Sequence, residues 1–282
     1  MEDNANAETF IQNLGAIDRL KLNLKLSIAH AHVQAAAPRD LSSTYDESIP
    51  ANERGYRVSG TGRVTITYLV EGRTGLLTIA SKGQELLQIV EDDLSLDLDL
   101  PPGLPIDLIL TQGIGACNLD LTDLTIEELS IGGGVGAIEI TLPSRGQPDV
   151  LLMGNVGEIA VNVPEDAIEL RPKAIRAKTS VGQLLLSLPP SGGYTLEVET
   201  SVGGAEIYLP GIVEAQIRQV SGSFLSAVMF SSQRILASEV GWRTNGWSGS
   251  ESGVSIVVKN HVGGVTIHDL DVQSTSESAP LV

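Results

Sequence analysis

Residues 134–143 read GVGAIEITLP, and three later segments repeat this ten-residue pattern. They are NVGEIAVNVP (155–164), SVGQLLLSLP (180–189) and SVGGAEIYLP (201–210). Together with one earlier glycine, the shared glycines recur at intervals of 21, 21, 25 and 21 residues: Gly115, Gly136, Gly157, Gly182 and Gly203. A near-constant period of this length indicates a repeat protein whose units stack on one another.

The apolar positions of each repeat predict two strand segments that meet at the glycine. Around Gly136, for example, Leu129 and Ile131 precede the glycine, and Ile138 and Ile140 follow it with the same alternation. Alternate apolar residues predict strands with one buried face. Because Ile131 and Ile138 are seven residues apart, they cannot share a face of one straight strand, which makes the glycine a corner. The proline then ends the second segment.

Parallel stacking of such units at about 4.8 Å predicts an all-β fold. We expect a right-handed, single-stranded β-solenoid, which resembles a β-helix, with coils of about 21 residues. The solenoid domain is predicted to span residues 17–269, with its repeat core over 104–220. Residues 1–16 are expected to be a polar tail and 270–282 a disordered tail.

The two ends of the predicted domain depart from the regular repeat. Strict alternation after Asp18 predicts a degenerate N-terminal strand region in which Ala29 takes the place of the glycine. Residues 221–252 lack the period and predict an irregular insertion. The pattern returns at 254–269 around Gly263, which predicts a closing coil.

Composition narrows the classes of function. The 282 residues carry a formal net charge of −17, which argues against nucleic acid and anionic lipid as partners. The N-terminus lacks the pattern of a secretory signal, and no apolar run is long enough to insert directly into a membrane as a helix. We therefore expect a cytoplasmic protein. The single cysteine, Cys117, excludes an intrachain disulfide and is predicted to be buried.

Two pairs of polar residues are candidate sites near the N-terminal end. His30 and His32 face outward on one strand and would bind a metal only with a third ligand; solvated surface is the alternative. Asp97 and Asp99 are predicted to share an exposed face, as calcium or acid–base groups or as solvated edge residues.

Two further pairs lie later in the chain. Trp242 and Trp247 would form a ligand platform or fasten the insertion to the solenoid. Asp120 and His268 are predicted to lie on one outward ladder, the face that a polysaccharide-acting β-helix would use, although the two do not make a paired-carboxylate site. We assign no catalytic, cofactor-binding or metal-binding residue.

The repeats GVGAIEITLP, NVGEIAVNVP, SVGQLLLSLP and SVGGAEIYLP resemble the C-terminal domain of LiaF-like proteins, also called toastrack or cell-wall-active antibiotics response proteins. The resemblance includes IDRLKLNLKLSIAHAHV (17–33) and the closing VSIVVKNHVGGVTI (254–267). It implies a non-enzymatic β-solenoid that modulates envelope-stress signalling by contacting a protein partner, such as a membrane sensor kinase. Family members commonly carry transmembrane helices ahead of this domain, and this chain shows none.

The sequence therefore predicts a non-enzymatic scaffold or regulatory module that binds a protein partner in cell-envelope stress signalling. A polysaccharide-binding or polysaccharide-acting β-helix is one alternative, and a self-assembling structural solenoid is the other. Location in the cytoplasm is expected, with membrane association only through the partner. The oligomeric state is left open.

Overall fold

The computed structural model describes residues 10–36, 55–61, 64–81, 95–222, 226–249 and 251–270, and every regular element in these ranges is a strand. The strands are β1 (Phe10–Asn13), β2 (Arg19–Ala35), β3 (Gly55–Thr61), β4 (Val64–Glu71), β5 (Thr74–Ser81), β6 (Ser95–Leu100), β7 (Pro105–Asp120), β8 (Thr125–Thr141), β9 (Arg145–Gly146), β10 (Asp149–Asn162), β11 (Glu169–Leu170), β12 (Ala174–Ser187), β13 (Tyr194–Pro210), β14 (Ala215–Gly222), β15 (Ser226–Phe230), β16 (Ile235–Ser238), β17 (Gly241–Thr244) and β18 (Val254–Leu270).

The centre of the molecule is a stack of long parallel strands in the order β7, β8, β10, β12, β13. Pairing is in register, so that Gly115, Gly136, Gly157, Gly182 and Gly203 lie side by side across the sheet. We call each level of this stack a rung. The predicted all-β solenoid architecture with parallel stacking is confirmed. The one interval of 25 residues, from Gly157 to Gly182, contains the two-residue strand β11, which pairs with β9 in a separate small sheet.

The corner of each rung in this stack requires a glycine, because φ there is positive and backbone of the neighbouring rung occupies the space of a side chain. Gly136 has a φ of +141°, and a Cβ on it would lie 1.8 Å from the carbonyl oxygen of Gly115. The pairing also skips the residue two places before the glycine: between β10 and β12, Gly154 pairs with Thr179 and Val156 with Val181. The change of inward parity thus begins two residues before the glycine.

The core is a set of aliphatic ladders enclosed by the two halves of each rung. Side chains two and four places after the glycine are buried, as in Ile138 and Ile140 or Leu184 and Leu186. Cys117 belongs to one of these ladders and is 3% exposed, which confirms its predicted burial. Since aliphatic side chains stack on their own kind along the sheet, the core is continuous from end to end.

At the N-terminal end, β2 forms a complete rung beside β7, and Ala29 pairs with Gly115 as expected. The rung beyond it consists of two half-strands, β5 and β6, which pair in parallel with the first and second halves of β2. The antiparallel strands β3 and β4 pair with β6 and β5, respectively, and β1 pairs with β3.

The expected polar tail over 1–16 is wrong for its described part, which begins at residue 10. Residues 10–13 form β1, and Leu14 is 1% exposed. The reason is tertiary, since Leu14 and Ile17 join Tyr56 in the hydrophobic core at this end, and the hydroxyl of Tyr68 donates a hydrogen bond to the Leu14 carbonyl at 2.6 Å.

At the C-terminal end, the expected closing coil is not the last rung. β18 lies between β13 on one side and the half-strands β14 and β15 on the other. The expected irregular insertion also contains order, because β15 pairs with β18 and the hairpin of β16 and β17 pairs with β14. The expected disordered tail, apart from Leu270 in β18, lies outside the described residues.

Candidate interaction surface

A row of aliphatic side chains runs along the outside of the corner. Each precedes the corner glycine of its rung, or Ala29 in β2, and strand pairing places each beside the next. Their exposed fractions lie between 40% and 53%. We call this row the aliphatic ridge; it consists of Ile28, Ile114, Val135, Val156, Val181, Val202 and Val262.

The ridge is exposed because of the corner geometry. Two places before the ridge residue the chain faces inward: this position holds Gly133 or Gly154 in two rungs and a buried side chain in the others, as in Thr179, Thr200 and Asn260, which are at most 1% exposed. The hydroxyl of Thr200 donates to the Asn260 side-chain oxygen at 2.9 Å, so a side-chain hydrogen bond joins two rungs at this buried position. One unpaired residue lies between this inward position and the ridge residue. Because the alternation of side chains changes at that unpaired residue, the ridge side chain faces solvent.

The ridge is a continuous apolar surface rather than a set of scattered residues. Seven rungs at about 4.8 Å give it a length of about 30 Å. Single exposed valines are ordinary on protein surfaces, but contiguous apolar patches above a few hundred Å² mark binding sites. The ridge therefore has the form expected of a docking surface for another macromolecule.

A charged groove of about 130 Å³ flanks the ridge on the first half of the rungs. The ammonium of Lys178 lies 2.8 Å from the Glu199 carboxylate, and Arg176 donates to Asp149 at 2.9 Å. Hydrogen bonding to Lys178 lowers the pKa of Glu199. Exposed Met153 also lines this groove. This side thus offers apolar contact area beside two exposed ion pairs.

A polar groove of about 330 Å³ flanks the N-terminal end of the ridge, on the second half of the rungs. His30 and His32 line it, and β6 places Asp97 beside His32. The His32 Nε2 lies 3.1 Å from the Gln34 side-chain oxygen. Across the described ranges, no three His, Cys, Asp or Glu side chains are positioned to hold a metal ion together. The third ligand that the histidines would need is therefore not supplied by those residues.

Asp97 and Asp99 do not share an exposed face, and that prediction was wrong. Asp97 is exposed, whereas Asp99 is 3% exposed. Arg57 forms a salt bridge with Asp99, and Gln34 donates to it at 2.9 Å. The difference arises because β3 pairs with β6 and lays Arg57 over the carboxylate. β6 is therefore not an edge strand.

Asp120 and His268 lie on the same outward ladder, but four strands separate β7 from β18. Asp120 accepts a hydrogen bond from the Thr122 hydroxyl at 2.7 Å, which closes a local turn. His268 stacks on Tyr208 with ring centroids 4.9 Å apart, and the Tyr208 hydroxyl donates to Glu206 at 2.6 Å. The two residues are thus in separate structural contacts and do not form one site.

The tryptophans pack against the body of the protein. Trp242 contacts Phe230 with ring centroids 5.2 Å apart, and it pairs with Ile217 across β14 and β17. The ring of Trp247 lies so close to Gly253 that a Cβ there would be 2.3 Å from it. These contacts are those of residues that hold the 226–249 segment against the last rungs.

The buried Cys117 thiol is chemically quiet in the native state. Burial raises its pKa to about 12. Since the thiolate is the reactive form, native Cys117 is a poor nucleophile at neutral pH.

Sequence reasoning missed the ridge, although its signal was present. The valine before each glycine is as regular as the glycine itself, and the two recur together from Val135 to Val202. Its direction could not be read from alternation, because the inward parity changes at the skipped residue.

A family model for the N-terminal domain of toast_rack, DUF2154, matches residues 2–162, which is more than half of the chain. The chain belongs to the toastrack family. Membership confirms the toastrack part of the sequence resemblance and supports a non-enzymatic scaffold. Placement among LiaF-like proteins stays a prediction. A search of the curated proteins gave no match.

Three solved structures are similar to this toastrack chain over most of its length. A candidate cell adhesion protein from Clostridium sporogenes is 14% identical with a TM-score of 0.45, and the match covers 94% of this chain and 100% of that one. A candidate adhesin from Bacteroides fragilis is 12% identical with a TM-score of 0.35, covering 94% and 97%. One from Parabacteroides merdae is 11% identical with a TM-score of 0.40, covering 95% and 97%. Similarity at this level carries no information about function.

No described segment of the toastrack chain forms a helix long and apolar enough to cross a membrane.

Proposed function

We propose that this toastrack chain is a regulatory scaffold that binds a protein partner along the aliphatic ridge. The observation that carries the proposal is the unbroken row of seven aliphatic side chains, each 40–53% exposed. Burying such a row against a partner would gain about 25 cal/mol for each Å² of apolar surface removed from water. The ridge needs no conformational change, because the rigid corner ladder presents it already formed.

The partner in this proposal has an apolar contact surface rimmed by basic residues. The chain carries a formal net charge of −17, which favours approach of a basic partner and disfavours an acidic one. Following the sequence resemblance, we propose a sensor kinase or another component of envelope-stress signalling as that partner, met in the cytoplasm. The scaffold would act by occupying the partner, without chemistry of its own.

The test is a quantitative pull-down from extract with three ridge valines replaced together: Val135→Ser, Val156→Ser and Val181→Ser. Proteins bound by the wild type are expected to be lost with this variant, because the substitutions remove apolar area at the middle of the ridge. The matched control is Thr111→Ser with Asn118→Ser and Thr141→Ser, which changes outward residues on the strand segments beside the ridge and leaves the ridge side chains intact. Binding should persist with the control and weaken as salt rises.

Equal recovery by the wild type and the ridge variant would show that the ridge is not the docking surface. Recovery of a sensor kinase by the wild type and not by the ridge variant would support the signalling role. If the ridge-dependent protein belonged to another system, the scaffold function would stand and the signalling assignment would fail.

A further inference from the structure

Among the strands that the structure describes, β4 has an open edge that is unlike the other edges. It spans eight residues, VTITYLVE, and among the described strands β5 is its only partner. The other outer strands, β1, β15 and β16, have four, five and four residues. An open strand of this length presents a row of backbone donors and acceptors to any extended chain that can reach it.

The sequence of β4 lacks the features that protect an edge. From Val64 to Val70 it contains no proline, glycine or charged residue, and its pairing with β5 has no bulge. Leu69 and Val70, near the hairpin tip, are 58% and 52% exposed. Natural edge strands are commonly blunted by charges, proline, bulges or short length. The edge of β14, at the opposite end, has a register shift between Gln219 and Ser221.

The hairpin geometry determines which backbone groups of β4 point outward. Glu71 pairs with Thr74 across the two-residue turn at Gly72 and Arg73. The pair that flanks a two-residue hairpin turn is a hydrogen-bonded pair, and hydrogen-bonded pairs alternate with non-hydrogen-bonded ones along the strand. The backbone groups of the odd-numbered residues of β4 are therefore hydrogen-bonded to β5. The backbone groups of the even-numbered residues therefore point away from β5: Val64, Ile66, Tyr68 and Val70.

We propose that β4 pairs antiparallel with β4 of a second copy of this chain, around a two-fold axis at Thr67. In this register Thr67 lies opposite Thr67 of the second copy, and Ile66 lies opposite Tyr68. Threonine pairs and aromatic–β-branched pairs are favourable across antiparallel strands, and no charge falls within the paired segment. The strand is thus complementary to itself, as a symmetric dimer interface requires.

The dimer is weak and is strengthened by salt. A single added strand buries less than a standard interface, and we expect a dissociation constant of about 10–100 µM. Two chains that each carry a formal charge of −17 repel one another, and salt screens this repulsion. The salt dependence is therefore opposite to that expected for a basic partner on the ridge.

Disulfide trapping of the full chain tests the register. Thr67 and Thr65 are both exposed, and Cys117 is buried and does not compete. In Thr67→Cys the two sulfurs meet at a non-hydrogen-bonded pair, whose spacing suits a disulfide. In the matched control Thr65→Cys the two cysteines are about 14 Å apart, beyond the reach of a disulfide. Mild oxidation should therefore cross-link Thr67→Cys and leave Thr65→Cys monomeric.

Charge variants give a second test that does not depend on oxidation. In Thr67→Lys and in Thr67→Glu, like charges meet at the axis, so each variant alone should sediment as a monomer. Their equimolar mixture should form a heterodimer at least tenfold more tightly than either variant self-associates. The same two substitutions at exposed Thr111 should leave the wild-type association unchanged. Recovery of the dimer in the mixture also shows that both variants are folded.

Sedimentation of the wild type as a monomer up to 1 mM would overturn the proposal, and so would filaments, which would indicate head-to-tail strand addition. Equal cross-linking of Thr67→Cys and Thr65→Cys would overturn the register. None of these results bears on the ridge, whose test uses different residues.

Discussion

In the centre of the molecule, each long strand pairs with the long strand that follows it in sequence, whereas at both ends the last long strand pairs with strands from distant parts of the chain. From β7 to β13 each long strand pairs with the next long strand. At the ends, β2 and β18 are each the last complete rung, and each is covered by two half-strands that are distant from it in sequence. The regular centre repeats one solution, and the ends need another because a solenoid end exposes its core and its backbone.

The two ends use the same devices. A long strand is inserted as the last complete rung, the half-strands cover it, and antiparallel strands cover those. Each end also has an arginine over a nearly buried carboxylate: Arg57 on Asp99 and Arg234 on Asp269. Arg234 also donates to the Val213 carbonyl at 3.1 Å, which joins the segment before β16 to the connection between β13 and β14. Each end is therefore held in part by a nearly buried ion pair, whereas the centre is held mainly by aliphatic packing and strand pairing that recur from rung to rung.

The largest effect is expected at a central corner. In Gly157→Ala the new Cβ would lie 1.9 Å from the Gly136 carbonyl oxygen, at a φ of +135°. We expect a loss of at least about 3 kcal/mol in the free energy of unfolding, measured by urea denaturation. Gly146→Ala is the control, since Gly146 has a φ of +107° but open space around it. Its loss should be about 1–2 kcal/mol, and an equal loss at both glycines would contradict a role for rung contact.

Smaller and more local effects are expected at the ends. Arg234→Met and Arg57→Met each leave a nearly buried carboxylate without its guanidinium, which should cost about 2–4 kcal/mol. Hydrogen exchange should accelerate in β14–β16 for the first variant and in β3 and β6 for the second, with little change in β10. Arg73→Met is the control, because its pair with Asp18 is exposed. Uniform acceleration over the whole sheet would show that the ends and the centre unfold as one unit.

The smallest effect is that of pH on the C-terminal end. Burial acts to raise the pKa of Asp269, but hydrogen bonds from Arg234 and Ser232 outweigh it and lower the pKa. A lowered pKa means that Asp269 contributes stability above its unfolded pKa of about 4, and this contribution is lost as pH falls through the folded value. Hydrogen exchange in β14–β16 should therefore show an extra loss of protection on acidification that β10 lacks.

The same pH series in Arg234→Met checks the cause. Without the guanidinium, burial of Asp269 is expected to raise its pKa, so acidification would stabilise this end instead of weakening it. An unchanged pH profile in the variant would show that another group is responsible.

The sequence by itself determined the centre of this protein. The interval between glycines, the flanking apolar ladders and the substitution of Ala29 for glycine predicted the parallel register, because each repeat meets a copy of itself. Cys117 could be placed for the same reason. These inferences needed only local alternation and a period.

Only the tertiary structure decided the ends and the surface. The position of β18 between β13 and β14, the burial of Leu14 and the cover of Arg57 over Asp99 all depend on contacts between segments without a shared pattern. The direction of the ridge valines depends on one skipped residue at each corner. The period of the sequence predicts how one repeat pairs with the next. It contains no information about how the ends of the stack are covered or which side chains face outward at the corner.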